Sequence, residues 1–228
     1  NAAPGSETRR AQASEALLLR IFGAAVARSH RPSQGPTQMN NAICVFCSSS
    51  DAVDPPYFHA ATRLGELIAT AKRPLVYGGG NIGLMGAIAR TVHKHGGHVV
   101  GVIPYALRAK ELAYTASDEL ILTKDLRERK AIMFERASAF IALPGGFGTL
   151  EEMIEVLTLK QLGIHDKALV FLNIEGFYDP LVTMFEHFFE HRFAKPISRD
   201  LYRVATTPED AMHYIDTYQP APISQKWY

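Results

Sequence analysis

From Asn41 onward, short β-branched or apolar runs alternate with segments of helical period. That alternation restricts the chain to parallel strands joined by crossover helices. Strands are predicted over Ala42 to Phe46, Pro74 to Tyr77, His98 to Ile103, Glu119 to Leu122, Ala139 to Leu143, Ala168 to Leu172 and Tyr202 to Ala205. The helices between them have legible starts. Asp54 precedes Pro55 and Pro56, Asp125 precedes Leu126, and Thr207 precedes Pro208 with Glu209 and Asp210 in the first turn, each an N-cap arrangement. The expected fold class is α/β, a Rossmann-like doubly wound parallel sheet of about seven strands, whose ligands sit outside the carboxyl ends of the strands.

The 228 residues, 47% of them hydrophobic, suffice for one sizeable core. The expected organisation is an extension over residues 1–40, the fold over 41–220 and a tail over 221–228. The extension carries Arg9, Arg10, Arg20, Arg28 and Arg31 against Glu7 and Glu15. Its apolar stretch from Ala16 to Val26 is shorter than the ~20 residues a bilayer span takes. An organelle transit peptide fits this composition, and so does an appended helix outside the catalytic fold, which is the preferred reading. The formal net charge of +1 provides no field for a nucleic acid or an anionic membrane. Cys44 and Cys47 fall in a strand that points them to opposite faces, which argues against a mutual disulfide. No helix N-terminus activates them, so reduced, packed thiols and a cytoplasmic setting are expected.

Two glycine loops follow predicted strands. The first runs from Gly78 through Gly79, Gly80 and Gly83 to Met85 and Gly86, and Gly78, Gly80 and Gly83 match a dinucleotide fingerprint. Such a site needs an acidic residue near the end of the next strand to hold ribose hydroxyls. Gly101, Val102, Ile103 and Pro104 stand there instead. The second loop reads Pro144, Gly145, Gly146, Phe147, Gly148, Thr149, Leu150, Glu151, Glu152. Glycines let backbone N–H groups approach an anion, and the following helix adds unpaired donors and its positive dipole end. A phosphate monoester is the expected occupant, with Thr149 adding a hydroxyl. The plainer alternative is a tight turn with Thr149 as the N-cap. A carboxylate one turn further on can reach the sugar attached to that phosphate. Arg127, Glu128, Arg129 and Lys130 form a charge run on another helix, and such runs are ordinarily solvated faces.

Together these residues resemble the Lonely Guy family, the cytokinin riboside 5′-monophosphate phosphoribohydrolases, over about Ile43 to Met212. The resemblance rests on the first glycine loop with Leu84 and Met85, the Arg129–Lys130 pair, the Pro144–Glu152 loop, Gln161 to His165, and Gly176, Phe177 and Tyr178. It implies that Gly145, Gly146, Gly148 and Thr149 bind the 5′-phosphate and that Arg129 and Glu152 are the catalytic residues. Glu111, Lys130 and Thr158 match further substrate-contact positions, and Ser48, Gly79, Gly80, Met85, Phe147, Leu150 and Glu151 complete the expected site. The family implies a homodimer or dimer-built assembly with sites near the subunit interface, and no metal or redox cofactor. Ser48 stands where the family usually has glycine, Phe147 where tyrosine is frequent, Leu159 where an aromatic is frequent, and Arg127 where a basic residue is unusual.

A nucleotide or phosphate-cofactor carrier could use the same scaffold without turnover, but it has no need of Arg129 and Glu152. Pyridoxal chemistry requires a Schiff-base lysine that nothing singles out. His187 and His191 lie at i, i+4 on a helix, yet lack a third ligand and read as a solvated face. A homo-oligomer is expected from aromatic-rich segments such as Phe185, Phe188 and Phe189.

Overall fold

The computed structural model describes residues 41–108 and 113–220. The expected extension, the tail and Glu111 lie outside them. In chain order come β1 (Ile43–Phe46), α1 (Pro55–Thr70), β2 (Leu75–Tyr77), α2 (Gly83–Lys94), β3 (Val99–Pro104), the single turn α3 (Tyr105–Arg108) and β4 (Glu119–Thr123). Then follow α4 (Leu126–Arg136), β5 (Ala139–Ala142), α5 (Phe147–Gln161), β6 (Ala168–Leu172), α6 (Asp179–Glu190), β7 (Arg203–Ala205) and α7 (Pro208–Thr217).

All seven expected strands form, and they make one sheet of order β4-β3-β2-β1-β5-β6-β7. Every neighbouring pair is parallel, with Ile43 opposite both Leu75 and Ala139. The chain winds from β1 out to β4 on one side and from β5 out to β7 on the other, so the topological switch point lies between β1 and β5. Because parallel strands here are covered on both faces, their central runs are apolar throughout rather than alternating.

Alternate residues of β1 serve two separate cores. Ile43, Val45 and Cys47 pack with Leu64 and Ile68 of α1, Ile88 of α2 and Ile215 of α7. Ala42, Cys44 and Phe46 pack with Met133 of α4, Met153 of α5 and Phe185 of α6. Cys44 and Cys47 are thus free, buried thiols on opposite faces. Burial pushes both thiols up in pKa, and the negative charge of Glu152 adds to the effect, so neither is a nucleophile at neutral pH.

Two local expectations are corrected. Asp125 and Thr207 do cap their helices, accepting from the N–H groups of Glu128 and Asp210, but Asp54 does not. Pro55 and Pro56 have no N–H to offer, and the Tyr57 N–H donates to the main-chain carbonyl of Asp54 at 3.1 Å instead. Of the phenylalanines taken as interface material, Phe185 and Phe189 belong to the core, and Phe188 alone is exposed. Phe185 and Phe189, at i, i+4, form the inward face of α6.

Candidate active site

Three loops converge at the switch point, after β1, β2 and β5. The Ser48 N–H donates to the Pro144 carbonyl, and the Met85 N–H donates to the Ser48 carbonyl, each at 3.3 Å. Backbone bonds therefore tie both glycine loops to the end of β1. Ser48 turns its hydroxyl back on its own loop, accepting from the Ser50 N–H at 3.1 Å. Its side chain is satisfied locally even though glycine is usual at this position in the family it resembles.

The two helix N-termini at this end differ in what already occupies them. At α2 the Gly83 N–H donates to the Asp51 carboxylate at 2.8 Å. A Cβ on Gly83, whose φ is +59°, would sit 2.5 Å from the backbone of Ser49. That terminus is covered and carries a negative charge, which excludes a second anion. At α5 the N-cap is Gly146, no side chain caps it, and the first turn holds no acidic residue. Cβ atoms built on Gly146 or Gly148 meet nothing within 4 Å. The open, uncapped donors thus belong to the second loop, as an anion site requires. Thr149 is not the N-cap but lies within the first turn, 5% exposed. Its Oγ1 is 2.2 Å from where a Gly145 Cβ would be, so the absence of that Cβ is what lets the hydroxyl pack beneath the loop.

Arg129 of α4 and Glu152 of α5 meet above these loops. Nη1 of Arg129 lies 3.2 Å from Oε1 of Glu152, and the residues are 6% and 5% exposed. The Arg129 Nε–H donates to the Val102 carbonyl at 3.0 Å. Its Nη2 occupies the space of a Gly78 Cβ, at 2.2 Å, with the Met85 thioether beside it at about 3 Å. The guanidinium is therefore held by β3, by Glu152 and by a notch that only glycine leaves at position 78. A charge pair this buried is costly to assemble, and such pairs cluster at functional sites.

Other expected site residues divide into two groups. Gly79 and Gly80 are buried in the first loop, where Gly79, at φ +79°, lies against Ile103. Lys130 and Glu151 turn away from the buried pair. Lys130 bonds to Glu151 and, at 2.5 Å, to Glu155. With Phe147, Leu150 and Ile154 they line an open groove of about 740 Å³. Phe147 is 95% exposed there. Thr158 is exposed near the far end of α5, about 9 Å along the axis from Glu152 at 1.5 Å per residue, and nothing among the described residues brings it to the pair.

The residues that sequence reasoning missed are Gly78, whose missing Cβ admits Arg129, Asp51, which blocks α2, and the Val102 carbonyl. Gly78 was visible as a fingerprint position but with another purpose. A main-chain carbonyl has no sequence signature.

A sequence profile for the family described as "Possible lysine decarboxylase" matches residues 85–215. The chain is 43% identical over 178 residues to cytokinin riboside 5′-monophosphate phosphoribohydrolase LOG5 of Arabidopsis thaliana, covering 78% of each chain. It is 42% identical to the probable cytokinin riboside 5′-monophosphate phosphoribohydrolase LOGL2 of Oryza sativa subsp. japonica, covering 78% of this chain and 73% of that one. Among solved structures, the molybdenum cofactor binding protein of Rippkaea orientalis superposes with a TM-score of 0.59 at 24% identity, over 78% of this chain and 98% of that one. At that identity the likeness is one of fold.

Proposed function

The chain belongs to the Lonely Guy family of cytokinin riboside 5′-monophosphate phosphoribohydrolases, and on that footing we propose that it hydrolyses adenine-type nucleoside 5′-monophosphates. Cytokinin riboside 5′-monophosphates and AMP are the substrate class, and the free base and ribose 5-phosphate are the products. The observation that carries the proposal is the buried Arg129–Glu152 pair, 3.2 Å apart, beside an uncapped helix N-terminus.

The 5′-phosphate sits on the backbone donors of Gly146 to Gly148 with the Thr149 hydroxyl. Glu152 lies four residues beyond Gly148, about 6 Å along the helix, where it faces the ribose of a nucleotide anchored by its phosphate. As the C1′–N bond breaks, positive charge develops on the ribosyl group. The Glu152 carboxylate stabilises that charge and orients the water whose oxygen bonds to C1′, while the departing base takes up a proton. Arg129, fixed by Val102 and Gly78, holds the carboxylate in place. Ser48, Gly79, Gly80 and Met85 form the wall for the base.

A carrier without turnover has no use for a buried pair of this kind, and the relatives at 42–43% identity are named as hydrolases. Pyridoxal chemistry has no anchor here either. Lys160, whose pKa burial lowers to about 8, lies about 16 Å along α5 from Thr149, with its amine donating to the Lys167 carbonyl and the Tyr218 hydroxyl.

The catalytic unit spans residues 41–220 and works as a homodimer or an assembly built from dimers. The exposed Phe147, with half-buried Leu150 and Ile154 beside it, supports this, and Thr158 lies on the same side of α5, where a second copy would receive it. Among the described residues no helix is long and apolar enough to cross a membrane, and we place the enzyme in the cytoplasm. The test is to incubate purified protein with AMP and isopentenyladenosine monophosphate in parallel and follow free base by chromatography. Release of base by the wild type and not by Glu152→Gln is expected, and no release from either nucleotide overturns the proposal.

A further inference from the structure

Far from this site, α6 ends in the run His187, Phe188, Phe189, Glu190, His191. Phe185 and Phe189 anchor the inward face of the helix in the core. The same period therefore turns His187 and His191 outward together, and the His191 N–H closes one helical turn on the His187 carbonyl at 3.0 Å. The two rings stand side by side, with centroids 4.2 Å apart. Glu190, which sequence spacing alone did not bring into account, completes the group. One ligand atom from each of the three residues lies within 4.8 Å of the others, and all three are exposed.

We propose that His187, Glu190 and His191 form a surface site for a borderline divalent transition-metal ion of the zinc class. Two imidazole nitrogens and one carboxylate oxygen are the donor set such ions prefer, and i, i+4 histidines on one helix face are a recurrent way of presenting it. Ligand-to-metal distances of about 2 Å require the three donor atoms to draw inward by small side-chain rotations, which exposed groups make freely. The helix C-terminus adds the negative end of its dipole. Neighbouring Arg199 attracts Glu190 only through space, since its guanidinium is bonded to Glu186 and lies 4.5 Å over the Phe189 ring.

In metallopeptidases, His-x-x-Glu-His spacing places the glutamate as a base beside a zinc-bound water within a cleft. Here the group stands on open surface, so the inference is binding, with the remaining coordination position left to water or to a donor from another molecule. Since α6 runs from β6 back to β7, its C-terminus lies at the amino edge of the sheet, opposite Arg129 and Glu152.

The experiment is calorimetric titration of the full chain, free of any histidine tag, with zinc(II), alongside His187→Ala/His191→Ala and Glu190→Gln. The wild type should take up one zinc per chain, the double variant should bind at least ~10-fold more weakly, and Glu190→Gln should be weakened to a lesser degree. Cobalt(II) should give a visible absorption band with the wild type that the double variant lacks. Release of base from AMP should stay at the wild-type rate in both variants, and each should melt at the wild-type temperature in the absence of metal. Uptake by the double variant equal to that of the wild type, or no uptake by the wild type, overturns the site.

Discussion

Nη1 of Arg129 lies 3.2 Å from Oε1 of Glu152, although the two residues come from different helices and each sits at about 5% exposure. The pair joins α4 to α5 across the carboxyl edge of the sheet. Glu152→Gln keeps the shape of the side chain and removes its charge. Turnover of AMP should fall by at least ~10²-fold, the scale of a single acid-base or charge-stabilising group, while circular dichroism still reports a folded protein. Near-normal turnover in a folded Glu152→Gln protein would show that the pair is structural.

The glycines of the two loops should separate on stability. An alanine at Gly146 or Gly148 meets no protein atom within 4 Å, whereas one at Gly78 is placed 2.2 Å from the Arg129 guanidinium. Gly148→Ala should therefore leave the melting temperature near wild type and raise KM for AMP about tenfold, a loss of ~1.4 kcal/mol in binding. Gly78→Ala should lower both stability and turnover, because the displaced Arg129 leaves Glu152 without the charge it faces. Thermal melts combined with steady-state kinetics distinguish the two patterns.

The sheet was legible in the sequence because each strand is a short apolar run between turn residues, and every one forms within a residue of its expected bounds. The second glycine loop was legible for the same reason, since its glycines follow a strand directly. Depth was not legible. Arg127, Glu128, Arg129 and Lys130 read as one solvated run, yet each residue turns about 100° around the helix, and Arg129 alone of the four is buried. Phe185 and Phe189 were misjudged as surface by the same blindness to which way a helix faces. The occupation of the α2 terminus by Asp51, 32 residues earlier in the chain, depends on a tertiary contact that no local pattern announces.

Phe147 stands 95% exposed beside Leu150 and Ile154 in the open groove. An aromatic so fully presented next to other apolar side chains is the material of an interface. Light scattering should give a mass at least twice that of one chain, and Phe147→Lys should shift the population toward monomer. A monomeric wild type at micromolar concentration would remove the basis for a shared site.

Lys160 should make stability depend on pH in the alkaline range. Burial lowers its pKa to about 8 from an ordinary 10.5, so between those values the unfolded chain holds a proton that the folded chain has released. Stability contributed by this group therefore rises as pH climbs from about 8 toward 10.5, by at most ~1.4 kcal/mol per pH unit. Lys167, lowered by burial as well, acts in the same direction. Cys44 and Cys47, raised by burial, and Tyr218, raised to about 12, oppose the trend once unfolded-state thiols ionise near pH 8.5 and tyrosines near pH 10. Urea unfolding at pH 7.5 and 9.5 should show that Lys160→Met removes a stabilising contribution that grows with pH, so the variant's change in stability between the two pH values is less favourable than that of the wild type. Identical pH dependence in wild type and Lys160→Met would mean the amine is solvated in solution.

The open N-terminus of α5 leads to the sharpest expectation. No side chain caps Gly146, no acidic residue lies in the first turn, and the Thr149 hydroxyl is packed against Gly145 at the base of the loop. Charge-assisted bonds from such donors to a dianionic monoester are worth ~1.5–3 kcal/mol each. Part of that energy holds C1′ against Glu152, so losing the phosphate should reduce kcat as well as raise KM. AMP should be cleaved at least ~10²-fold more efficiently than adenosine, a difference of ~2.7 kcal/mol in transition-state stabilisation. Thr149→Ala should lower kcat/KM for AMP more than for adenosine, since the hydroxyl contributes only where there is a phosphate to meet it. The comparison is internal to each protein, so a general loss of folding cancels. Comparable cleavage of nucleotide and nucleoside by the wild type would make the glycine loop a plain strand-to-helix turn, and the anion site would have to be sought elsewhere on the sheet.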